Sequence, residues 1–343
     1  MKKDSESRGG MSRRGLITVG AAGLIGAGGV LARVGLGGSS ASAEKSAAAV
    51  SLQPTVETFG LADVQSVAFS PDGKLLAAGT TDSSNLALWN VGSWTIDTQI
   101  EYSNGDPATA LAFSPDGEYV SVVSDGNLQL CDLSQESSQD LGSALGAGFM
   151  SCADFSPDGT QLAVGDAAGT VYLVSTADWS LTRSFSSGLD GGVSGLLYAS
   201  QGKSLIGVGY DGTIRVWSAQ QKLLSTFSSG GTVKSMAVTS AGVLCVGSVV
   251  GTVSLWDVST FSRLGSLPSG DSPVTGVAPH PRLDYVATCD TSEKVSLWNM
   301  NSKKLALQLD SSDAGLSLAF SPDGRFLVCG HFDGETDVWD GLL

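Results

Sequence analysis

The sequence predicts an all-β protein, a seven-bladed β-propeller with four antiparallel strands in each blade. Two recurring patterns carry this prediction. The phrase Phe-Ser-Pro-Asp-Gly occurs at Phe69–Gly73, Phe113–Gly117, Phe155–Gly159 and Phe320–Gly324. A short alternating run that ends in Trp or a substitute recurs in seven units, at steps of about 40 residues. Units of that length with room for four short strands are typical of propeller blades.

Each Ser-Pro-Asp-Gly sequence predicts a tight turn between the first and second strands of its blade. Pro at the second position has a preset φ, and Gly at the fourth tolerates the left-handed conformation. Apolar runs of strand length flank the turn, such as Val67–Phe69 and Leu75–Gly79. The other three units carry altered versions of this turn, at Tyr198–Gly202, Val238–Gly242 and Pro279–Leu283.

The run that ends in Trp predicts the third strand of each blade. Cys131 and Val174 take the place of Trp in two units. In the other five units we expect the indole to pack between blades. These residues are Trp89, Trp217, Trp256, Trp298 and Trp339.

With these phrases in register from about Thr55 to the C-terminus, the chain resembles the WD-repeat family. The Trp-Asp dipeptide is present at Trp256-Asp257 and Trp339-Asp340. The Gly-His dipeptide that typical members carry before the first strand is missing from every unit, so the resemblance does not extend to the His–Ser–Asp–Trp network that it anchors in typical members. The chain therefore resembles a divergent, bacterial-type member. The resemblance implies a non-enzymatic scaffold that binds a protein or a peptide.

The last unit stops shortly after Asp340 and lacks a fourth strand, whereas Thr55–Gly60 reads as a strand without a blade. We expect this N-terminal strand to complete the last blade, because an open ring would expose strand edges and apolar faces. The propeller then spans residues 54–343, after a linker over 44–53, and we expect no helix within the blades.

Residues 1–43 predict a twin-arginine-type export signal. Arg13 and Arg14 precede the apolar run Leu16–Ala32, and small residues favour cleavage after Ala43. The alternative is an uncleaved membrane anchor, but the apolar run is shorter than the roughly 20 residues that a membrane span needs. We expect an exported protein, periplasmic or extracellular, without a stable membrane span in the mature chain.

The charge and the cysteines limit the classes of partner. Residues 1–43 hold six Lys or Arg and two Asp or Glu, whereas residues 44–343 hold 13 Lys or Arg and 32 Asp or Glu. The net charge of the whole chain is −15. An acidic mature chain disfavours nucleic acid as a partner, and we expect a monomer that binds an unidentified protein or peptide. The five cysteines lack metal-ligand spacing, so we expect small buried thiols.

The sequence gives little support for catalysis, and we expect no enzyme and no cofactor. Asp154 and Lys234 are nearly the only charges in the first strands, which line the central channel. The alternative is a metal-dependent propeller hydrolase or lactonase that acts on a small molecule and uses the Asp residues between second and third strands. Asp-Gly pairs there equally indicate hairpin turns. These residues are Asp82, Asp125, Asp166, Asp211, Asp290 and Asp333.

The candidate partner-binding residues lie in loops. Tyr102, Tyr210 and Phe332, together with His331, are the best candidates for contact anchors. Burial over a neighbouring blade is the alternative for each aromatic. His331 has Asp333 nearby in the sequence, a pairing that could serve acid–base chemistry or form an ordinary loop contact. We expect His280, in an altered turn, to lie in a solvent-exposed loop.

Overall fold

The computed structural model describes residues 56–57, 64–80, 85–102, 108–146 and 148–343. Within them the chain forms seven four-stranded antiparallel sheets, arranged as the blades of a β-propeller, which confirms the predicted fold. The export signal with Arg13, Arg14 and the cleavage site after Ala43, and the linker over 44–53, lie outside the described residues. No helix among the described residues is long and apolar enough to cross a membrane.

The first strand of the chain is β1 (Val56–Glu57), and blades 1 to 4 follow it. Blade 1 comprises β2 (Val64–Phe69), β3 (Leu75–Thr80), β4 (Asn85–Asn90) and β5 (Thr95–Glu101). Blade 2 comprises β6 (Ala108–Phe113), β7 (Tyr119–Ser124), β8 (Asn127–Asp132) and β9 (Ser137–Asp140). Blade 3 comprises β10 (Met150–Phe155), β11 (Gln161–Asp166), β12 (Thr170–Ser175) and β13 (Leu181–Ser186). Blade 4 comprises β14 (Val193–Ala199), β15 (Ser204–Gly209), β16 (Thr213–Ser218) and β17 (Leu223–Ser228).

Blades 5 to 7 complete the ring. Blade 5 comprises β18 (Val233–Val238), β19 (Val243–Ser248), β20 (Thr252–Asp257) and β21 (Arg263–Pro268). Blade 6 comprises β22 (Val274–Pro279), β23 (Tyr285–Asp290), β24 (Lys294–Asn299) and β25 (Lys304–Asp310). Blade 7 contains β26 (Gly315–Phe320), β27 (Phe326–His331) and β28 (Thr336–Asp340).

The N-terminal strand β1 supplies the fourth strand of blade 7. It pairs antiparallel with β28, with Val56 opposite Val338 and Glu57 opposite Asp337. The strand order of this sheet is therefore β1-β28-β27-β26. The predicted closure is confirmed: the two ends of the propeller are held together within one sheet, so neither terminal blade carries an open edge there.

The Ser-Pro-Asp-Gly turns share one hydrogen-bond pattern. In blade 3 the Ser156 hydroxyl donates to Asp158 Oδ1 at 2.6 Å and accepts from the Gln161 backbone N at 2.9 Å. The Gly159 N–H closes the turn on the Ser156 carbonyl at 2.8 Å, and Gly159 has a φ of 71°. Blades 1, 2 and 7 repeat the serine–aspartate bond and the bond to the second strand. Local side-chain hydrogen bonds thus explain why this phrase is repeated.

A short α-helix lies between two blades, and a three-residue 3-10 helix, Ser200–Gly202, lies within blade 4 between β14 and β15, which corrects the expectation of no helix within the blades. This 3-10 helix forms where blade 4 has an altered turn. The five-residue α1 (Leu141–Leu145) connects blade 2 to blade 3. Asp140 caps it by accepting a hydrogen bond from the Ser143 N–H, and Gly146 ends it in the left-handed conformation. Leu141 and Leu145 are buried against blades 2 and 3. The helix forms because this connection has two leucines to bury and a cap at each end, and it leaves the four-stranded sheets intact.

The hydrophobic core lies within the sheets and between neighbouring blades. Trp89 and Trp339 are among the largest fully buried side chains, and Trp217 and Trp298 are buried as well. Trp256 is partly buried and packs on Phe227, with ring centroids 4.4 Å apart. Each of these indoles belongs to a cluster that combines residues of two neighbouring blades.

All five cysteines are free and buried, as expected. Burial raises the pKa of the Cys131, Cys152 and Cys245 thiols to about 12.

Strand alternation gives the disc two faces. The turns between first and second strands and between third and fourth strands lie on one side, which we term the SPDG face. The turns between second and third strands and the connections between blades lie on the other side, which we term the linker face.

Candidate binding faces

The structure separates the four predicted partner-binding residues. Tyr102 is 4% exposed and His331 is fully buried, so neither presents its ring to a partner. Tyr210 is half-buried in the turn between β15 and β16. Phe332 is 51% exposed in the turn between β27 and β28. The sequence left open whether each ring is exposed or buried. Tyr102 and His331 are buried, whereas the Phe332 ring is accessible on the linker face.

His331 belongs to a buried polar network between blades 6 and 7. Its Nε2 lies 2.8 Å from Ser311 Oγ and 3.2 Å from Asp337 Oδ2. Its Nδ1 lies 3.0 Å from Ser312 Oγ. The Asp337 carboxylate also accepts from the Ser311 hydroxyl at 3.0 Å and from the Ser312 N–H at 2.9 Å. His331 therefore contacts Asp337 rather than Asp333, its neighbour in the sequence.

This network holds the connection from blade 6 against blade 7. Ser311 and Ser312 come from the connection that enters blade 7, and Asp337 sits on β28 opposite Glu57 of β1. Burial lowers the pKa of His331, against the opposite effect of the Asp337 carboxylate. Because both ring nitrogens and the carboxylate are engaged within the network, it joins blades 6 and 7 rather than offering a base to a bound molecule.

Four of the recurring Asp residues accept hydrogen bonds within their own turns, and Asp125 lies exposed in its turn. Asp211 accepts hydrogen bonds from the Thr213 N–H at 2.9 Å and the Thr213 hydroxyl at 2.7 Å. Asp333 accepts from the Glu335 N–H at 2.9 Å. Asp166 and Asp290 accept backbone N–H groups of their own turns, and Asp82 lies outside the described residues. In the described part of the chain, no three His, Cys, Asp or Glu side chains are grouped to hold a metal ion.

Two apolar side chains of the linker face are additional to those that the sequence singled out. Phe149 is 51% exposed in the connection before β10, and Val250 is 57% exposed in the turn between β19 and β20. Phe149 lies over Gly126, where a Cβ would come within 2.2 Å of its ring. In the sequence, Val250 could have been found because it is an apolar residue at a turn position where other units have Asp.

The linker face is acidic. Its exposed acids lie in turns and connections: Asp125, Asp190, Asp211, Asp271, Glu293 and Asp333. Among the described residues, three cations lie towards this face, and each is engaged or partly buried. Lys294 pairs with Asp310 at 2.6 Å, and Arg215 donates to the Ser187 carbonyl. Lys234 is half-buried on β18. Most of the other cations lie beside turns of the SPDG face: Lys74, Lys203, Lys222, Arg263, Arg282, Lys303, Lys304 and Arg325. The two faces therefore offer different electrostatic environments.

The family model for the WD domain, G-beta repeat, matches residues 55–90, 98–132, 143–175, 179–218, 261–299 and 306–340. The chain belongs to the WD-repeat family. The matched segments leave out residues 219–260, which nevertheless include three strands of blade 5, β18 to β20.

Similar curated proteins share this repeat region. This WD-repeat protein is 27% identical over 192 residues to telomerase protein component 1 of Mus musculus, covering 54% of this chain and 7% of that protein. It is 40% identical over 112 residues to protein groucho of Drosophila melanogaster, covering 32% and 15%. It is 26% identical over 182 residues to echinoderm microtubule-associated protein-like 2 of Homo sapiens, covering 52% and 28%. The match thus spans less than a third of the length of each of these relatives.

On the SPDG face of this WD-repeat protein, His280 is buried, which corrects the expectation of a solvent-exposed loop. It is 6% exposed and packs edge-on against Phe320, with ring centroids 5.0 Å apart. Its Nδ1 accepts hydrogen bonds from the Arg282 and Leu283 N–H groups at 3.1 and 3.0 Å. The imidazole thus replaces the serine hydroxyl of the regular turn, and burial lowers its pKa.

Proposed function

We propose that this WD-repeat protein is an exported, non-enzymatic scaffold that binds another protein through its linker face. The observation that carries this proposal is the exposure of Phe149, Val250 and Phe332 on a face that is otherwise acidic. Exposed aromatic and apolar side chains among polar neighbours are typical of protein contact sites. The rigid ring holds all three at turns or connections, where a partner can reach them.

The charge of the linker face defines the partner further. Exposed Asp and Glu side chains surround these apolar residues, and few cations offset them. We infer that the partner contributes a segment with basic and apolar side chains. Electrostatic complementarity would then speed association and weaken with salt, while the apolar contacts would supply most of the affinity.

Family membership supports a role in protein interaction. Protein groucho and echinoderm microtubule-associated protein-like 2 contain regions similar to this chain. The candidate catalytic groups support the non-enzymatic part of the proposal, because four of the loop Asp residues are engaged by their own turns and His331 is held inside a buried network. What those relatives bind is a property of their own chains, so the partner's identity must come from experiment.

Export is proposed from the N-terminal sequence. Arg13 and Arg14 before the apolar run Leu16–Ala32 support a twin-arginine-type signal with cleavage after Ala43. Five buried free thiols fit this route, because a protein exported in the folded state needs no disulfide formed after transport. Cell fractionation tests the proposal: changing Arg13 and Arg14 to Lys should retain the protein, with an intact N-terminus, inside the cell. Normal export of that variant would reject the twin-arginine route.

A capture experiment tests the linker face. The full chain is immobilised and exposed to an envelope fraction, and proteins retained by wild type are compared with those retained by the triple variant Phe149→Ser, Val250→Ser, Phe332→Ser. The matched control is Leu181→Ser, Leu223→Ser, Leu264→Ser, which removes similarly exposed side chains from the outer strands. We expect the linker-face variant alone to lose a partner, and the wild-type complex to weaken between 50 and 500 mM salt. Equal retention by both triple variants would reject the linker face as the site.

A further inference from the structure

A cleft opens on the SPDG face where blades 4 and 5 carry altered turns. Its walls are Leu197–Gln201 of blade 4 and Ala237–Ser240 of blade 5, and Asp154 of blade 3 lines it as well. Ser200 and Gln201 have φ values of 51° and 56°, a left-handed conformation that is uncommon for residues other than glycine. The cleft therefore arises where the regular Ser-Pro-Asp-Gly turn has been replaced.

Asp154 departs from the pattern of the other blades. The strand registers place it at a position that is Ala in five blades and Leu in one, and all six are buried: Ala68, Ala112, Leu197, Ala237, Ala278 and Ala319. The fold thus accepts an apolar residue here in every other blade. A carboxyl group at this position costs free energy of desolvation that an alanine would avoid.

Within the ranges that the structure describes, the Asp154 carboxyl has no counter-ion. Its Oδ2 accepts a hydrogen bond from the Tyr198 backbone N at 2.7 Å. No Lys or Arg is among the residues that line the cleft, and no ion pair involves Asp154 in the described part of the chain. Desolvation raises the pKa of Asp154 to about 8, against the opposite effect of the Tyr198 and Phe155 N–H groups. An acid of this kind in a cleft is a candidate for ligand recognition.

We propose that this cleft binds a primary ammonium group, with Asp154 as its counter-ion. Because Oδ2 already accepts the Tyr198 N–H, one of its two lone pairs is in use, which disfavours a bidentate pair with the planar fork of a guanidinium group. An ammonium group is a compact charge that one oxygen can hold. Leu197, Ala237 and Val238 offer apolar walls for the methylene stem behind it. The ligand is either a lysine side chain of a bound peptide or a small free amine.

Ionisation of Asp154 gives the proposal a distinctive pH dependence. The neighbouring titratable groups keep their charge states between pH 7 and 9. Burial raises the pKa of Cys152 to about 12 and raises that of Tyr198, so both remain neutral. Hydrogen bonds lower the pKa of Asp158, so it remains charged. Since Asp154 must lose its proton to bind a cation, the affinity should be about tenfold higher at pH 9 than at pH 7.

Titration calorimetry with the full chain tests this proposal. The probes are n-butylammonium, the capped peptide acetyl-Gly-Lys-Gly-amide and the same peptide with Arg in place of Lys, each at pH 7 and pH 9. Asp154→Asn removes the charge and keeps the shape, and Asp154→Ala installs the residue that five other blades use. Asp284→Asn is the matched control, since this exposed carboxylate lies on the same face beyond the cleft.

We expect wild type and Asp284→Asn to bind an amine about tenfold more tightly at pH 9, and both Asp154 variants to lose at least tenfold in affinity at that pH. Binding of the Lys peptide alone would identify a lysine side chain as the ligand, and binding of n-butylammonium alone a small amine. Absence of binding of both amines at pH 9, equal affinity of wild type and both Asp154 variants, or tighter binding of the Arg peptide would overturn the proposal. The linker-face triple variant should bind the amine as wild type does, so this test is independent of the proposed function.

Discussion

The two faces of the disc are built by different means. On the SPDG face, four of the seven blades use the same turn, with the same serine–aspartate hydrogen bond and a glycine in the left-handed conformation. On the linker face, the turns between second and third strands vary from two to four residues and differ in composition, and one connection contains the helix α1. Both faces carry exposed acids, but most cations lie on the first face, and three exposed apolar side chains mark the second.

The difference shows where this chain repeats a stabilising device and where it varies. Repetition marks turns whose side chains are engaged by their own backbone. Residues that depart from the repeated pattern are the ones proposed to bind a partner or a ligand. They are Phe149, Val250 and Phe332 on the linker face, and Asp154 in the cleft of the SPDG face. A rigid scaffold allows such variation because the blades supply the stability.

The largest expected effect comes from opening the ring, on which both faces depend. Deleting Ser51–Gly60 removes β1 and exposes the edge of β28. We expect aggregation or loss of a cooperative thermal transition, measured by circular dichroism and size-exclusion chromatography. A soluble variant that melts cooperatively near the wild-type temperature would contradict the role of this strand in closure.

The buried network of the linker face should be the next most costly to break. His331→Leu leaves the buried Asp337 carboxylate without its imidazole partner, and we expect a loss of about 3 kcal/mol in the free energy of unfolding. Urea denaturation measures this loss. The matched control is Asp333→Asn, an exposed residue of the adjoining turn, which should change stability by less than about 0.5 kcal/mol. Similar losses in both variants would show that the network is not the source of stability.

A single regular turn of the SPDG face should contribute less. Ser156→Ala removes the acceptor of the Gln161 N–H and the donor to Asp158, and we expect a loss of about 1 kcal/mol. Adding Ser321→Ala in a distant blade should double the loss, because well-separated sites act independently. Urea denaturation of the single and double variants measures this additivity, and an unchanged stability in both would mean that the turns are held by the backbone alone.

Asp154 should affect stability in a manner that depends on pH. Its pKa in the folded protein, about 8, lies above its unfolded value, so its contribution to stability is fully present below about pH 4 and is lost as the pH rises through 8. The free energy of unfolding of wild type should therefore fall between pH 5 and pH 9 relative to that of Asp154→Asn. Asp284→Asn is the control and should follow wild type. Parallel pH profiles for wild type and Asp154→Asn would contradict a desolvated carboxyl.

The exposed apolar residues of the linker face should have the smallest effect on stability. Phe332→Ser should change the free energy of unfolding by less than about 0.5 kcal/mol, because its ring is half exposed and lies in a turn. Chemical denaturation measures this, in parallel with the capture experiment. A loss above about 2 kcal/mol would show that the ring contributes to packing, and would weaken its assignment to a partner.

Much of the fold could be predicted from the sequence. The turns of Ser156 and Ser321, the third strands that end at Trp89 or Trp339, and the strand that closes blade 7 follow from local patterns. The candidate site was harder to predict. Tyr102 and His331 read as surface residues of loops but are buried, whereas Phe149 and Val250 were not singled out, although Val250 stands at a turn position where other units have Asp.

By itself the sequence determined the number of blades and the position of the regular turns, because those depend on hydrogen bonds between residues two to five positions apart. Only the tertiary structure decided which loop residues face solvent and which acids, among the described residues, have no Lys or Arg counter-ion. His331 contacts Asp337 on the neighbouring strand and Ser311 in the connection from blade 6, and Asp154 accepts the Tyr198 N–H from a different blade. Such contacts depend on how neighbouring sheets pack, and the local pattern around each residue does not contain that information.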